Sequence, residues 1–343
     1  MRPHGSLGYR PPAPGVRTLH LYLFFGNLIS LNEANYIVTD DKHKGIILGI
    51  EKCAIHDGPG IRTLIFSKGC PLRCKWCSTP QSWHYHPELS FSSDNCTRCG
   101  KCFDVCPADA IIPDEAEYLE IDREACTNCG ICCEVCHPHA LKLIGQYMTP
   151  EELFSIALQD ILFYRNSNGG VTLSGREPAT WPEFCLEFLK KCHEHNISTA
   201  IESCLYVKWE YLERVLKYLD LIYIDLKCMD KEKHANLTGV SNQLIIDNTI
   251  KVDKSKVPVV IRVPVVPGYN DDEENIKAIL GFAAGLTNVT RIELLPYHGL
   301  GVSEYKRLGR NYGLEYLKPP NDESLVNLSE IIESHGLEAQ IGG

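Results

Sequence analysis

The run Cys96-x2-Cys99-x2-Cys102-x3-Cys106 recurs thirty residues on as Cys126-x2-Cys129-x2-Cys132-x3-Cys136, and nothing else in the chain restricts its fold as tightly. Eight thiols at such spacings are metal ligands before they are core residues, so the segment must fold around what they hold. Zinc would use pairs of Cys-x2-Cys and leave two cysteines of each run without a role. The chain has 17 cysteines, an odd number, most of them in short metal-type spacings. That usage points to a reducing cytoplasm rather than to disulfides.

The double run is the one found in bacterial ferredoxins, where three cysteines of one copy and the fourth of the other complete each [4Fe-4S] cluster. The expected sets are Cys96, Cys99, Cys102 with Cys136, and Cys126, Cys129, Cys132 with Cys106. Pro107 follows one fourth cysteine, whereas His137 follows the other and Pro138 comes one residue late. Cys133 is left as a spare thiol. A third constellation, Cys70-x3-Cys74-x2-Cys77, is one ligand short of a closed site. Three thiolates leave one coordination position for a substrate, which suggests catalysis rather than structure.

Length and charge bound the remainder. The 343 residues suffice for one large or two ordinary domains, and 44% hydrophobic content supplies a sizeable core. A formal charge of -10 argues against broad binding of nucleic acid or anionic membrane. The apolar stretch 19–31 is too short to span a bilayer and lacks a small-residue cleavage site, so it reads as strand or packed loop.

Apolar runs at 63–68, 171–174, 199–203, 221–226, 259–263 and 291–295 read as six buried parallel strands. Helical patterns at 150–164, with Thr149 as N-cap, and at 182–195, with Pro182 in the first turn, alternate with them. Alternation of this kind predicts an α/β fold, a barrel or an open sheet. The eight-cysteine block interrupts the series after the first strand and is an insertion. Chemistry in such folds gathers at the C-terminal strand ends. There the sequence places the three-cysteine loop, Gly175-Arg176-Glu177, Glu202, Asp225-Leu226-Lys227, Arg262 and His298.

With Asp57-Gly58-Pro59-Gly60-Ile61-Arg62 and Leu294-Leu295-Pro296-Tyr297-His298, these motifs make residues 46–343 resemble a glycyl radical enzyme activating enzyme. The subgroup it resembles belongs to the radical S-adenosylmethionine (SAM) superfamily and carries a two-cluster ferredoxin-like insert. The resemblance implies a partial six-stranded (β/α) barrel formed by residues 46–85 and 146–343, with residues 86–145 as the insert. It implies SAM and three [4Fe-4S] clusters as cofactors, the SAM-binding one held by Cys70, Cys74 and Cys77. It further implies that Trp76 and Ser78 line the SAM pocket and that Gly175, Arg176 and Glu177 contact the cofactor, Glu177 at its amino group. Glu202, Asp225, Leu226 and Lys227 are expected near the cofactor, and His298 beside its adenosyl moiety.

The implied activity is reductive cleavage of SAM to a 5′-deoxyadenosyl radical that takes a hydrogen from a backbone glycine of a partner glycyl radical enzyme. A flavodoxin or ferredoxin is the implied electron donor, and a monomer without nucleic-acid or membrane partners is expected. Each residue also has a plainer reading. Trp76 fits a core, Asp225 with Lys227 a solvated ion pair worth under about 1 kcal/mol, His298 a structural turn, and Arg62 and Arg262 ordinary salt bridges. Two rival functions remain: a radical SAM enzyme on another substrate, and a decayed homologue that keeps only electron-transfer clusters.

Three positions depart from the family pattern. Arg176 and Leu205 stand where the family has glycines, which permit close backbone approach or a backbone angle other residues resist. Trp181 stands where a glutamine is common. Residues 1–45 fall outside the resemblance, and residues 2–14 resemble the C-terminal end of integrase-type transposases. That segment reads as an insertion-element remnant or a misplaced start, the alternative being an unrelated proline-rich arm.

Overall fold

The computed structural model describes residues 43–175 and 177–342. The extension at 1–42, with its apolar stretch and transposase-like segment, and Arg176 lie outside the described residues. Before and through the insert run β1 (Gly45–Ala54), β2 (Arg62–Ser67), β3 (Glu88–Phe91), β4 (Ile111–Asp114), β5 (Tyr118–Ile121), β6 (Leu141–Ile144) and β7 (Gln146–Met148). After it come β8 (Gly170–Ser174), β9 (Ser198–Ser203), β10 (Leu221–Asp225), β11 (Val259–Val265), β12 (Val289–Pro296) and β13 (Glu338–Ile341).

The main sheet has the order β13-β12-β11-β10-β9-β8-β2-β1-β7. From β2 to β13 every pairing is parallel, and β1 and β7 add an antiparallel edge. The six strands expected from the sequence are the contiguous parallel set from β2 to β12. Three further strands extend it. β13 is short and largely exposed, and β1 loses its apolar face after Ile47, so neither has the buried run that marks the other six.

The central strands are apolar on both faces because helices cover one side and the barrel interior the other. Ile201, Ile222, Ile261 and Leu294 are almost fully buried in one continuous core with Phe184, Phe188 and Leu189 of the helix Pro182–Glu194. The pattern at 150–164 is two helices, Pro150–Ala157 and Ile161–Ser167, joined by a 3-10 turn at Leu158–Asp160. The first starts at a capping box between Thr149 and Glu152. The break coincides with Asp160, whose buried carboxylate accepts from the Thr63 hydroxyl at 2.7 Å on β2.

Between β2 and β7 the chain builds two small antiparallel pairs, β3 with β6 and β4 with β5. Their core is Leu89, Phe91, Ile111, Leu119, Ile121 and Leu141, with the cysteines packed around it. The repeat in sequence is a repeat in backbone. Arg98 and Asn128 have φ of 56° and 55°, Gly100 and Gly130 79° and 80°, Asp109 and His139 48° and 53°.

Candidate functional site: a cavity at the strand ends

The loop after β2 carries the three cysteines and is pinned by its own backbone. The Arg73 and Lys75 amides donate to the Thr238 and Leu237 carbonyls at 2.7 and 3.0 Å, and the Cys77 amide donates to the Cys74 carbonyl at 3.1 Å. The Arg73 guanidinium donates to the carbonyls of Cys70 and Leu72 at 2.6 and 2.8 Å, closing the loop from the side. Gly69 enters it at φ +108°, and a Cβ there would lie 2.7 Å from the Tyr85 ring.

Cys70, Cys74 and Cys77 line a cavity of about 160 Å³ together with Gly175, Glu202, Asp225 and Lys227. With Arg262, eight of the strand-end candidates thus meet at one place, each brought there by the C-terminal end of β2, β8, β9, β10 or β11. Gly175 turns at φ +101°, where a Cβ would lie 2.3 Å from the Ser67 carbonyl oxygen, so a side chain is excluded. Leu72, Cys204 and Leu295 complete the lining.

The cavity wall is an ordered set of opposite charges. Lys227 Nζ meets Asp225 Oδ2 at 2.8 Å, with the lysine 8% and the aspartate 33% exposed, so the pair is partly buried rather than fully solvated. Arg262 Nη1 meets Glu202 at 2.5 Å, its Nε meets fully buried Glu293 at 2.7 Å, and its guanidinium lies 3.9 Å from the Tyr223 ring centroid. Burial pushes the Glu202 carboxyl up to about 7, with Arg262 and the Ser174 hydroxyl pulling it back. Burial lowers the Lys227 ammonium, but Asp225, Cys74 and Cys204 together outweigh it and hold the group above its ordinary value.

Five of the expected residues do not line this cavity. Glu177 is fully buried and does not face the cavity. Its carboxylate accepts from Ser203 Oγ at 2.8 and 2.9 Å, from the Cys204 amide at 3.0 Å and from the Ala179 amide at 3.3 Å. Burial raises its pKa. The group fastens the end of β9. Trp76 is 8% exposed and packs with Leu237, Val266, Tyr297, Tyr305 and Tyr312 in a satellite core behind the loop. Leu226 belongs to the main core. Ser78 backs onto Gly301, where a Cβ would lie 2.7 Å from the Ser78 Cα. His298 is exposed, beyond the end of β12.

Two departures find a physical account. Leu205 adopts φ +55°, the left-handed angle a glycine would take freely, at a cost of about 1–2 kcal/mol. Its side chain is wholly buried in the main core, which offsets that cost. Trp181 is the N-cap residue of the helix Pro182–Glu194 and its indole N–H donates to the Lys68 carbonyl at 2.5 Å.

The insert offers two smaller cavities. One is lined by Cys96, Cys99, Cys102 and Cys136, the other by Cys106, Cys126, Cys129 and Cys132. Backbone amides of Arg98, Ala110 and Leu141 donate to the sulfurs of Cys96, Cys106 and Cys136 at 3.4, 3.3 and 3.4 Å. Amide donors of this kind stabilise anionic sulfur, so the residues suit iron–sulfur clusters. Among the described residues, no three His, Cys, Asp or Glu converge around one ion. A four-iron cluster spreads its thiolates over separate irons and does not require that.

The sequence reading passed over Trp83, whose indole N–H donates to Cys77 Sγ at 3.2 Å. An aromatic donor six residues past the third cysteine, after Pro80, was the available signal. Arg262, expected at a strand end with a salt bridge as its plainer reading, lines the cavity and also makes the ion pairs.

A radical SAM superfamily model matches residues 124–279, and a 4Fe-4S binding domain model matches residues 89–112, which include the first cysteine run. The chain is 43% identical over 278 residues to an isethionate sulfite-lyase activating enzyme of Oleidesulfovibrio alaskensis, covering 79% of this chain and 89% of that protein. It is 40% identical to an indoleacetate decarboxylase activating enzyme of Tractidigestivibacter scatoligenes, covering 88% and 98%. A choline trimethylamine-lyase activating enzyme of Oleidesulfovibrio alaskensis is 38% identical, covering 88% and 98%. The chain belongs to the glycyl radical enzyme activating enzymes. This activase therefore works with SAM and iron–sulfur chemistry, cleaving SAM reductively and abstracting a hydrogen from a glycine of a partner enzyme. No helix among its described residues is long and apolar enough to cross a membrane.

Proposed function

We propose that the 160 Å³ cavity is where this activase binds SAM, on a [4Fe-4S] cluster held by Cys70, Cys74 and Cys77. The observation that carries the reading is the meeting of three thiols with two acid–base pairs in one cavity. Cluster and SAM, when bound, supply the one-electron cleavage that yields the hydrogen-abstracting radical. Asp225 and Glu202 offer carboxylates suited to an ammonium or ribose hydroxyls, and Lys227 and Arg262 offer cations suited to a carboxylate. Leu72 and Leu295 add apolar wall that excludes water. Neither Glu177 nor His298 is assigned a cofactor contact.

The two cavities of the insert are read as seats of two further clusters with crossed ligand sets, three clusters in all, passing electrons from a flavodoxin or ferredoxin. The lining of each cavity by three cysteines of one copy and one of the other supports this. We assign residues 46–85 and 146–343 to the barrel, 86–145 to the insert and 1–45 to an extension outside the activase. A reducing cytoplasm suits the many cysteines in metal-type spacings, and we take the activase to act as a monomer. The relatives serve a sulfite-lyase, a decarboxylase and a trimethylamine-lyase, and the partner here is a glycyl radical enzyme of that broad class.

Anaerobic reconstitution followed by dithionite and SAM tests the reading through formation of 5′-deoxyadenosine. Formation by the wild type and its loss in Cys77→Ala are expected; formation undiminished in that variant overturns the assignment. A glycine-centred doublet in electron paramagnetic resonance after adding a candidate partner identifies the substrate.

A further inference from the structure

Trp83 sits outside the cavity yet touches its chemistry. Its indole N–H donates to Cys77 Sγ at 3.2 Å, from a ring wedged among charged and aromatic neighbours. The Arg73 and Arg310 guanidinium carbons lie 5.3 and 5.0 Å from the ring centroid, and Tyr305 meets the ring edge-on at 5.7 Å. The Pro80 carbonyl accepts from the Trp83 amide at 3.2 Å and from Arg310 at 2.5 Å, so backbone and cation are tied to one atom.

Arg310 connects this wedge to the insert. It donates to Glu88 Oε1 at 2.6 Å, and Glu88 is the first residue of β3, the strand that opens the insert. Next along, Leu89 lines the cavity of Cys106, Cys126, Cys129 and Cys132, and its amide donates to Asn128 Oδ1 at 3.1 Å. Arg123 of the insert returns to the barrel side, donating to the Leu308 carbonyl at 3.0 Å. The indole is thereby clamped from both regions of the molecule.

We propose that Trp83 is a positioning residue of the three-cysteine site, raising its reduction potential by a hydrogen bond to Cys77 sulfur that the insert holds in place through Arg310 and Glu88. This rests on the reading of Cys77 as a cluster ligand. Reduction adds negative charge to a cluster and its sulfurs, and a donor aimed at a ligand sulfur stabilises the reduced state more than the oxidised one. The nearby guanidinium groups act in the same direction. Removing the donor makes the site harder to reduce while leaving the insert clusters alone.

The test is a redox titration of the reconstituted full-length protein followed by electron paramagnetic resonance, the site signal being recognised by its change on adding SAM. Trp83→Phe keeps the ring and loses the donor, and its site signal is expected to titrate at a more negative potential with the other signals unmoved. Trp83→His restores an N–H and is expected to recover part of the shift. An unmoved site signal in Trp83→Phe at full iron content overturns the proposal, as does an equal movement of every signal. Should Trp83→Phe fail to hold iron, wild-type protein labelled with nitrogen-15 at the tryptophan indoles decides: a nitrogen-15 coupling on the reduced site signal is expected, and its absence overturns the proposal. No SAM-sensitive signal in the wild type would instead overturn the reading of Cys70, Cys74 and Cys77 as ligands.

Discussion

In the insert the four thiols of each cavity come from two short runs of chain, whereas at the strand ends the lining is contributed by β2, β8, β9, β10, β11 and β12 or the loops that follow them. The insert is a local device: spacing sets the thiols, and glycines at φ near +80° open the short helices Lys101–Val105 and Ile131–Glu134 in both copies. Its surroundings are apolar side chains and amide donors. The strand-end cavity is a device of topology, where parallel register sets Arg262 beside Asp225 and Glu293 beside Arg262. Its surroundings are charges that burial makes costly unless each keeps its partner. A site of the first kind tolerates change outside its runs; a site of the second kind depends on the whole sheet.

That contrast can be broken by exchange of single residues. The largest effect is expected from cysteine loss: Cys129→Ala removes about a third of the iron yet leaves the SAM-sensitive signal in place. Iron analysis, and electron paramagnetic resonance with and without SAM, read this, and disappearance of the SAM-sensitive signal would show that the two regions are not separable. Next comes Arg262→Met, which strips Glu202 and fully buried Glu293 of a shared cation. Anaerobic urea unfolding is expected to show a loss of about 3–5 kcal/mol, the usual cost of breaking a buried pair.

Lys68 tests the seam between the regions. It is fully buried, donates to the Gln81 carbonyl and meets Glu88 at 3.5 Å, and burial lowers its pKa to about 8 despite Glu88. The folded chain then binds fewer protons than the unfolded chain between about pH 8 and 10.5, so stability rises with pH across that window. The rise amounts to about 3 kcal/mol at most, and Lys68→Met is expected to abolish it in unfolding curves taken at pH 8, 9 and 10. The smallest effect belongs to Lys306→Ala, which removes an exposed pair with Glu117 at 3.1 Å. A change under about 0.5 kcal/mol is expected, and a larger one would mean that this surface pair fixes the insert to the barrel.

The two regions also differed in how openly the sequence displayed them. The cysteine runs and the six parallel strands could be read because each is a local pattern: a spacing, or an apolar stretch bounded by polar turns. Edge strands β7 and β13, and β1 beside β7, carry only short buried apolar runs and gave no such pattern. At the cavity, motif position along a strand found Gly175, Glu202, Asp225 and Lys227, but could not tell which way a side chain leaves the turn. Glu177 follows a glycine turn and ends up under β9, and Trp76 turns from the loop into the satellite core. Trp83 depends on an Arg310 that lies 227 residues later, beyond the reach of any local rule.

The base of the insert has a consequence for chain entropy. β2 and β8 are neighbours although residues 68–169 separate them, where a crossover of about a dozen residues would do. Lengthening a flexible connection that much, roughly three doublings, costs about 2 kcal/mol. Pairing of Glu88 with Ile144 lowers even that, because it brings the two ends of the insert to adjacent-strand distance, about 5 Å. Once β3 and β6 have met, the rest of the chain experiences the whole insert as a single short step.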